Sequence, residues 1–424
     1  MLSRFRRFLH NLGPGFVTGA SDDDPSGIAT YAQAGAGFGF STLWSILFTL
    51  PLMIAVQEMS ARIAMVTGKG LIENIRQRHA KPTVIGIACL LFIANTINIG
   101  ADLGMMASAA QIFWHLPFAF WLLLAAVATL LLEIFTSYAT YARYLKWLTL
   151  SLFAYIATAF FVHIHWGEAL RATIIPHFQW SSKYLLILVA LLGTTISPYL
   201  FFWQANQEVE EELVDGRIHG TKRSQAARCS PRELRLMRFD VTFGMIFSNV
   251  ISWFIILTTA TALFFSLGYT EILSADQAAQ ALTPFAGPFA VALFALGIIG
   301  TGLLTIPILS GTAAYAFSEV FGFREGLSQK WWQAKAFYGV IIISVLIGGA
   351  MNFFGIQPFR ALIYSAVVNA LIAPPILWMI IRLGSDKKVM GTWVNGGWVK
   401  CFAWLTFIAM IMAPLAWIWF TFSS

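Results

Sequence analysis

An all-α, polytopic membrane protein is the fold class this sequence predicts, on three observations. Only 11% of its 424 residues are charged and 58% are hydrophobic, against about 25% charged in a soluble domain. Apolar runs long enough to cross a bilayer, about 20 residues each, recur eleven times along the chain. Basic residues gather in alternate connections between those runs, as the retention of positive charge on the cytoplasmic side requires.

The runs fall at 13–39, 41–66, 83–112, 117–137, 144–166, 182–207, 239–267, 285–318, 333–352, 358–382 and 398–421. The first opens on Gly13-Pro14-Gly15 and carries Asp22-Asp23-Asp24-Pro25-Ser26-Gly27 in its middle. The apolar stretch behind the basic Met1–Arg7 is cut by those residues, so it reads as a retained span and not as a cleaved signal. The sixth run is interrupted by Gly193-Thr194-Thr195-Ile196-Ser197-Pro198-Tyr199. Residues 277–318 carry no charge and are too long for one span, with Pro284, Pro288 and Pro307 marking its start and a kink. The runs merge into one bundle, so a single membrane domain over 1–424 is expected. Aromatic residues such as Trp331-Trp332 sit at run ends, as an interfacial belt requires.

With the N-terminus in the cytoplasm, eleven spans leave every one of the 27 Lys and Arg on the inner side except Arg171, Lys183 and Arg360. A wrong span count would scramble that alternation. The C-terminus is then outside, and the plasma membrane is the expected location. The longest connection, Glu208 to Arg238, is cytoplasmic. Glu210-Glu211-Glu212 within it could collect metal, but a solvated helix end is the ordinary reading of a charge run.

Composition excludes several functions. Net charge is +7, which in a membrane protein reflects inner-loop Lys and Arg and does not indicate nucleic acid. Cys89, Cys229 and Cys401 have neither disulfide nor metal-ligand spacing. His115, His163 and His165 fall toward the outer face and read as interfacial. An Asp-rich run can hold Mg²⁺-diphosphate in a membrane enzyme, but that chemistry needs a second acidic cluster on a facing helix. No such pair, no Ser-His-Asp set, no zinc motif and no phosphate-binding Gly loop is present. The chain is expected not to be an enzyme, and no cofactor is expected.

The two interrupted runs carry the functional reading. A carboxylate in a bilayer costs several kcal/mol unless it faces protein or water, which makes Asp22, Asp23 and Asp24 functional candidates. Pro25 and Gly27 break the helix beside them and free backbone carbonyls. Runs one and six are the first members of two successive groups of five. Broken helices at corresponding places in two halves point to an inverted-repeat transporter with its site at the membrane midplane. A metal cation or an organic amine could use a midplane Asp; the hydroxyls and the three acids favour a metal.

Gly13-Pro14-Gly15-Phe16 followed by Asp24-Pro25-Ser26-Gly27 resembles the opening of the Nramp family of divalent-metal transporters, and Thr194-Thr195-Ile196-Ser197-Pro198-Tyr199 sits where that family has its helix-six motif. The resemblance implies a LeuT-like fold: two inverted five-helix repeats, about 13–166 and 182–382, plus an eleventh helix at about 398–421, with helices one and six broken. It implies transport of divalent metals, commonly with protons. The ions and the lipid bilayer are then the partners; the sequence leaves the oligomeric state open, with a monomer plausible.

The departures from the family pattern are chemically informative. Members typically read Asp-Pro-Gly-Asn in helix one; here Asp24 is kept as the anionic ligand, while Gly27 stands in place of the Asn. Helix six typically reads Met-Pro-His, preceded by an Ala whose carbonyl binds metal; here these positions are Ser197, Pro198, Tyr199 and Thr194. The family's acidic pair in helix three corresponds to Asn95 and Asn98. Losing the soft thioether leaves oxygen ligands only: Asp24, hydroxyls of Ser197, Thr194 and Ser21, and freed carbonyls, with Ser26 and Gly27 making room. Oxygen sites suit Mg²⁺, which keeps several waters, and also accept Mn²⁺. In this respect the chain resembles the magnesium-transporting branch of Nramp relatives. Tyr199, Asn95 and Asn98 do not titrate near neutral pH, so inward transport of Mg²⁺ and Mn²⁺ without protons is expected. The alternative is a proton-coupled Mn²⁺/Fe²⁺ importer of the usual family kind, for which Asp102 is the best substitute relay. Glu58, Glu133 and Glu319 are the other buried-looking acids, the last two reading as anchors near helix ends. Asp22 and Asp23 either line the pathway mouth or cap and hydrate the helix edge.

The orientation is directly testable. In a background without the native cysteines, Ser424→Cys should react with an impermeant thiol reagent on intact cells, whereas Cys229 restored alone should react only after permeabilisation. The reverse pattern would invert the topology.

Overall fold

The computed structural model describes residues 13–136, 152–214 and 229–423, and every element among them is helical. Met1–Arg7, Arg143, Lys146, Arg217, Lys222, Arg223 and Arg228 lie outside the described residues, as does the first part of the 144–166 run. In chain order the helices are α1 (Pro14–Asp22), α2 (Pro25–Phe38), α3 (Leu43–Thr67), α4 (Leu71–Arg76), α5 (Lys81–Gln111), α6 (Phe118–Phe135), α7 (Phe153–Ala159), α8 (Trp166–Ile174), α9 (Ser182–Thr195) and α10 (Pro198–Val214). They continue with α11 (Pro231–Thr259), α12 (Ala275–Ala279), α13 (Thr283–Ala286), α14 (Ala290–Phe321), α15 (Lys335–Met351), α16 (Pro358–Ser385), α17 (Lys387–Met390) and α18 (Gly397–Ser423).

Among the described residues, nine helical stretches are long and apolar enough to cross a membrane. One of them, Pro25–Thr67, holds the second half of the first predicted run and all of the second. The long uncharged stretch resolves as predicted: short turns around Pro284 and Pro288 precede α14, which carries Pro307 inside it. The outermost helices turn large apolar residues outward, Leu123, Leu131 and Phe135 on α6 and Ile408, Met412 and Trp419 on α18. In water this would be a liability; in a bilayer it is the lipid-facing surface.

Both predicted breaks are present and have the same local cause. A Pro lacks the N–H that a helix interior needs but suits the first position of a new helix. Pro25 therefore opens α2 and Pro198 opens α10, so that α1 stops at Asp22 and α9 at Thr195. The broken helices lie in the middle of the bundle. α1 and α2 pack on α11, α2 and α9 on α16, and α10 on α3 and α14, while α5 packs on α14, α15 and α16.

Small residues set how closely these helices approach. Gly15 and Gly19, four apart on α1, meet Gly244 of α11. A Cβ on Gly19 would fall on the Gly244 backbone, and one on Gly15 would lie 2.6 Å from the Val241 nitrogen. This is the small-residue packing by which membrane helices gain van der Waals contact when no hydrophobic force separates helix from lipid. Asp240 of α11 adds a polar tie, accepting from the N–H of Gly13 (2.9 Å) and Gly15 (2.7 Å) at the otherwise uncapped start of α1. Glu58 of α3 binds Arg62 one turn on and accepts from Arg238 Nε of α11 at 2.6 Å, joining those two helices at the same end.

The glycine contact makes a quantitative expectation. Gly19→Ala should lower stability by about 1–3 kcal/mol, because two backbones must separate. Gly86→Ala, on α5 with nothing within 4 Å of the new methyl, should be neutral or raise stability by up to about 1 kcal/mol. Thermal unfolding in detergent compares them; equal midpoints would show that the α1–α11 approach is not tight.

Candidate metal centre

The site is built where the two breaks face each other. Asp24 stands between α1 and α2 in an extended conformation (φ −72°, ψ 172°) and caps α2. Its Oδ1 accepts from the Gly27 N–H at 2.6 Å and from Ser26 Oγ at 2.8 Å. The carboxylate is thereby fixed at the positive end of a helix dipole, where a negative charge is favoured. Its Oδ2 turns the other way and accepts from Asn98 Nδ2 of α5 at 3.1 Å, with Tyr199 OH of α10 at 3.4 Å. The same Tyr199 hydroxyl is 3.3 Å from the Ser21 carbonyl, one of the carbonyls freed at the end of α1. Asn98 is itself oriented by Ser365 of α16, whose hydroxyl donates to Asn98 Oδ1 at 2.7 Å. Four helices thus meet at one carboxylate, and a fifth, α16, orients one of its partners.

The other predicted residues take distinct places. Thr194 borders the cleft: a Cβ on Gly27 would lie 3.2 Å from its Oγ1 and 2.9 Å from the Asp22 carbonyl, so Gly27 leaves the opening between the breaks. Ser197 is buried, and its hydroxyl donates to the carbonyls of Gly193 (2.6 Å) and Thr194 (2.9 Å), so toward a cation it offers lone pairs only. The Ser21 hydroxyl likewise donates to Val17, leaving the carbonyl as the part of Ser21 that faces Tyr199. The Ser26 hydroxyl is engaged by Asp24 and positions it. Asn95 points to α14 and donates to the Leu309 carbonyl at 2.8 Å, away from Asp24. Asp102 lies one helical turn beyond Asn98, is fully buried, and has no hydrogen-bond partner at either carboxylate oxygen. It is near enough for its charge to act on Asp24 and Tyr199. Asp22 and Asp23 turn toward α11, where Ser248 Oγ donates to Asp22 Oδ2 at 2.6 Å and Ser252 Oγ lies 3.2 Å from Asp23 Oδ1. Among the described residues no three His, Cys, Asp or Glu side chains converge as a metal cluster. The centre is one carboxylate contacted by two hydroxyls, a backbone N–H and an amide.

Sequence reasoning passed over Ser365 and Asn369 on α16 and Ser248 and Ser252 on α11. Each pair is spaced one helical turn apart in an apolar run, the spacing that puts two polar groups on one face. Asn369 is buried with neither amide atom paired. The Glu210-Glu211-Glu212 reading needs correction. α10 continues to Val214, and Glu208, Glu210 and Glu212 are buried on it, not solvated. Glu210 accepts from Ser328 Oγ at 2.9 Å and Tyr315 OH at 3.1 Å. Glu208, Glu211, Glu212, Glu233 and Asp240 line an open pocket of about 160 Å³ at the start of α1. Glu133 and Glu319 are anchors: Ser310 Oγ lies 2.9 Å from both Glu133 oxygens, and Glu319 accepts from the Glu73 N–H at 2.7 Å. His115, His163 and His165 are exposed.

A family profile described as "Natural resistance-associated macrophage protein-like" matches residues 15–420. The divalent metal cation transporter MntH of Bacillus subtilis is 26% identical over 420 residues, covering 97% of this chain and 92% of that protein. MntH 1 of Pseudomonas aeruginosa is 27% identical over 431 residues, covering 99% and 93%. Among solved structures, the manganese transporter of Eremococcus coleocola superposes with a TM-score of 0.74 at 19% identity, over 99% of this chain and 87% of that one. A Na⁺-coupled sialic acid symporter in its outward-open state gives a TM-score of 0.60 at 12% identity, over 95% and 90%. These structures have the LeuT fold, and so does this one. With its profile match running through both helix breaks and all but the ends of the chain, the protein belongs to the Nramp family.

Proposed function

We propose that this protein moves divalent metal cations across the plasma membrane through the cleft between its two helix breaks, and that it is not an enzyme. The observation that carries this reading is the arrangement at Asp24. One carboxylate oxygen is held by the α2 N-terminus while the other faces Asn98, Tyr199 and the freed Ser21 carbonyl. The named function of the MntH relatives and of the manganese transporter supports the substrate class.

The donor set argues for a hard ion, Mg²⁺ or Mn²⁺. The side chains that meet Asp24 are a serine, an amide and a phenol, and no Met, Cys or His stands at the described helix-six break. Oxygen ligands suit ions that keep part of their water shell. Transport runs inward without protons in this reading. Asn95 donates to a backbone carbonyl and Asn98 to the Asp24 carboxylate, and Tyr199 replaces the family's His, so no group at those positions changes charge near neutral pH. A divalent ion gains about 4.6 kcal/mol per 100 mV from an inside-negative potential, enough to accumulate it. The N-terminus is inside and the C-terminus outside in this scheme. One observation favours the proton-coupled alternative: both oxygens of buried Asp102 lack a partner, leaving a carboxylate free to take up a proton.

Proteoliposomes with an internal pH dye decide between the two. Uptake of Mg²⁺ and Mn²⁺ with a flat pH trace is expected. Acidification that tracks uptake and disappears in Asp102→Asn would make Asp102 the proton carrier. Asp24→Asn should abolish uptake while the protein remains monodisperse, since removing the charge from a buried ion pair costs about 2–5 kcal/mol; undiminished uptake would remove Asp24 from the site. Ser197→Met places a thioether beside the second break and should raise Cd²⁺ binding relative to Mg²⁺ by calorimetry. An unchanged ratio would mean that residue 197 does not reach the ion.

A further inference from the structure

We propose that Asp22, Asp23, Ser248 and Ser252, with Tyr31 beside them, form a second site for a hard divalent cation, on the opposite side of the helix break from Asp24. Asp22 ends α1 and Asp23 is its C-cap. A helix C-terminus is the negative end of the dipole, and its last carbonyls have no partners in the helix. Two carboxylates there are in the least favourable place a helix offers, unlike Asp24, which sits at the positive end of α2.

The surroundings do not relieve this. Both carboxylates are fully buried, and among the described residues no Lys, Arg or His forms an ion pair with either. The available donors are two serine hydroxyls one turn apart on α11. Ser248 Oγ lies 2.6 Å from Asp22 Oδ2 and 3.3 Å from Asp23 Oδ1, yet its single proton serves only one of them. Ser252 Oγ lies 3.2 Å from Asp23 Oδ1 and 3.0 Å from the Ser248 carbonyl, again with one proton for two acceptors. Asp22 Oδ1 and Asp23 Oδ2 have no partner at all. The Tyr31 hydroxyl of α2, fully buried, makes no hydrogen bond of ordinary length and lies beside Ser252 and both acids. Two negative charges, two hydroxyls and a phenol oxygen in an apolar bundle are matched by one divalent ion of the oxygen-seeking kind.

The site is separate from the transport centre. Successive side chains on a helix point about 100° apart, and Asp24 turns to α5 and α10 while Asp22 and Asp23 turn to α11. Asp22 touches both: its side chain faces the serines while its carbonyl borders the cleft at Gly27. An ion held there would brace the free end of α1 against α11. The inference does not depend on Asp24 being the transport ligand.

Counting Mn²⁺ bound to the purified full chain in nanodiscs, by equilibrium dialysis with electron paramagnetic detection, tests it. Two ions per chain are expected in the native protein, one in Asp22→Asn/Asp23→Asn and one in Asp24→Asn. Equal counts in the native protein and the Asp22→Asn/Asp23→Asn variant would overturn the second site and mean that these carboxylates carry protons instead. A count of two retained in Asp24→Asn would count against the transport centre and leave the second site standing. Should the double variant fail to fold, Ser248→Ala/Ser252→Ala keeps the acids and should weaken one of the two ions about tenfold; unchanged affinity for both would overturn the assignment. Na⁺ displacing the second Mn²⁺ at equal concentration would overturn its divalent character.

Discussion

In a bilayer, every backbone N–H and C=O away from water needs a partner inside the protein, and a helix supplies all of them only while it is unbroken. Pro25 and Pro198 interrupt that supply in the middle of the bundle, and the rest of the architecture answers it. The new N-terminus of α2 is closed by Asp24. A freed carbonyl of α1 is reached by Tyr199 from the other broken helix. Thr194 and Ser197 line or close the end of α9. What is left over is a cleft bordered by a carboxylate and freed carbonyls, the arrangement on which the proposed cation site rests.

The break also sorts three adjacent carboxylates into two environments. Asp24 belongs to a helix start and Asp22 and Asp23 to a helix end, and the sign of the dipole reverses between them within two residues. Chain direction alone would not keep them apart. The packing does so, because α11 reaches Asp22 and Asp23 with Ser248 and Ser252 while α5 and α10 reach Asp24 with Asn98 and Tyr199.

Glycine at the helix crossings makes those reaches possible. Gly15, Gly19 and Gly244 let α1 and α11 touch backbone to backbone, and a methyl on Gly193 of α9 would meet the backbone of Ala366 and Ala370 of α16. Short serine hydroxyls span the gap only at this distance. At the start of α1 the same pair of helices is tied through Asp240 and the N–H groups of Gly13 and Gly15. The moving parts implied by a LeuT fold, the half-helices beside the breaks, are therefore held by a few polar contacts and close van der Waals packing.

Periodicity and hydropathy were enough to read nine membrane-long stretches among the described residues and the two breaks, and to single out Asp24 as a candidate, because proline, glycine and charge act locally and a bilayer punishes each of them in a recognisable way. The absence of soft ligands was equally plain, since a missing Met or His needs no geometry to notice. Other features were decided only by packing. Ser26 and Ser197 read alike in the chain, yet the hydroxyl of the one is turned to Asp24 and that of the other to the carbonyls at the end of α9. Glu210 and Glu212 look like a solvated run, yet α10 carries them under α14 and its following loop. Ser248, Ser252 and Asn369 carried no weight in the sequence because a hydroxyl or an amide in a span gains meaning only from the group opposite it. Ser248 and Ser252 lie more than two hundred residues away from Asp22 and Asp23, and only the folded bundle brings them within hydrogen-bond distance.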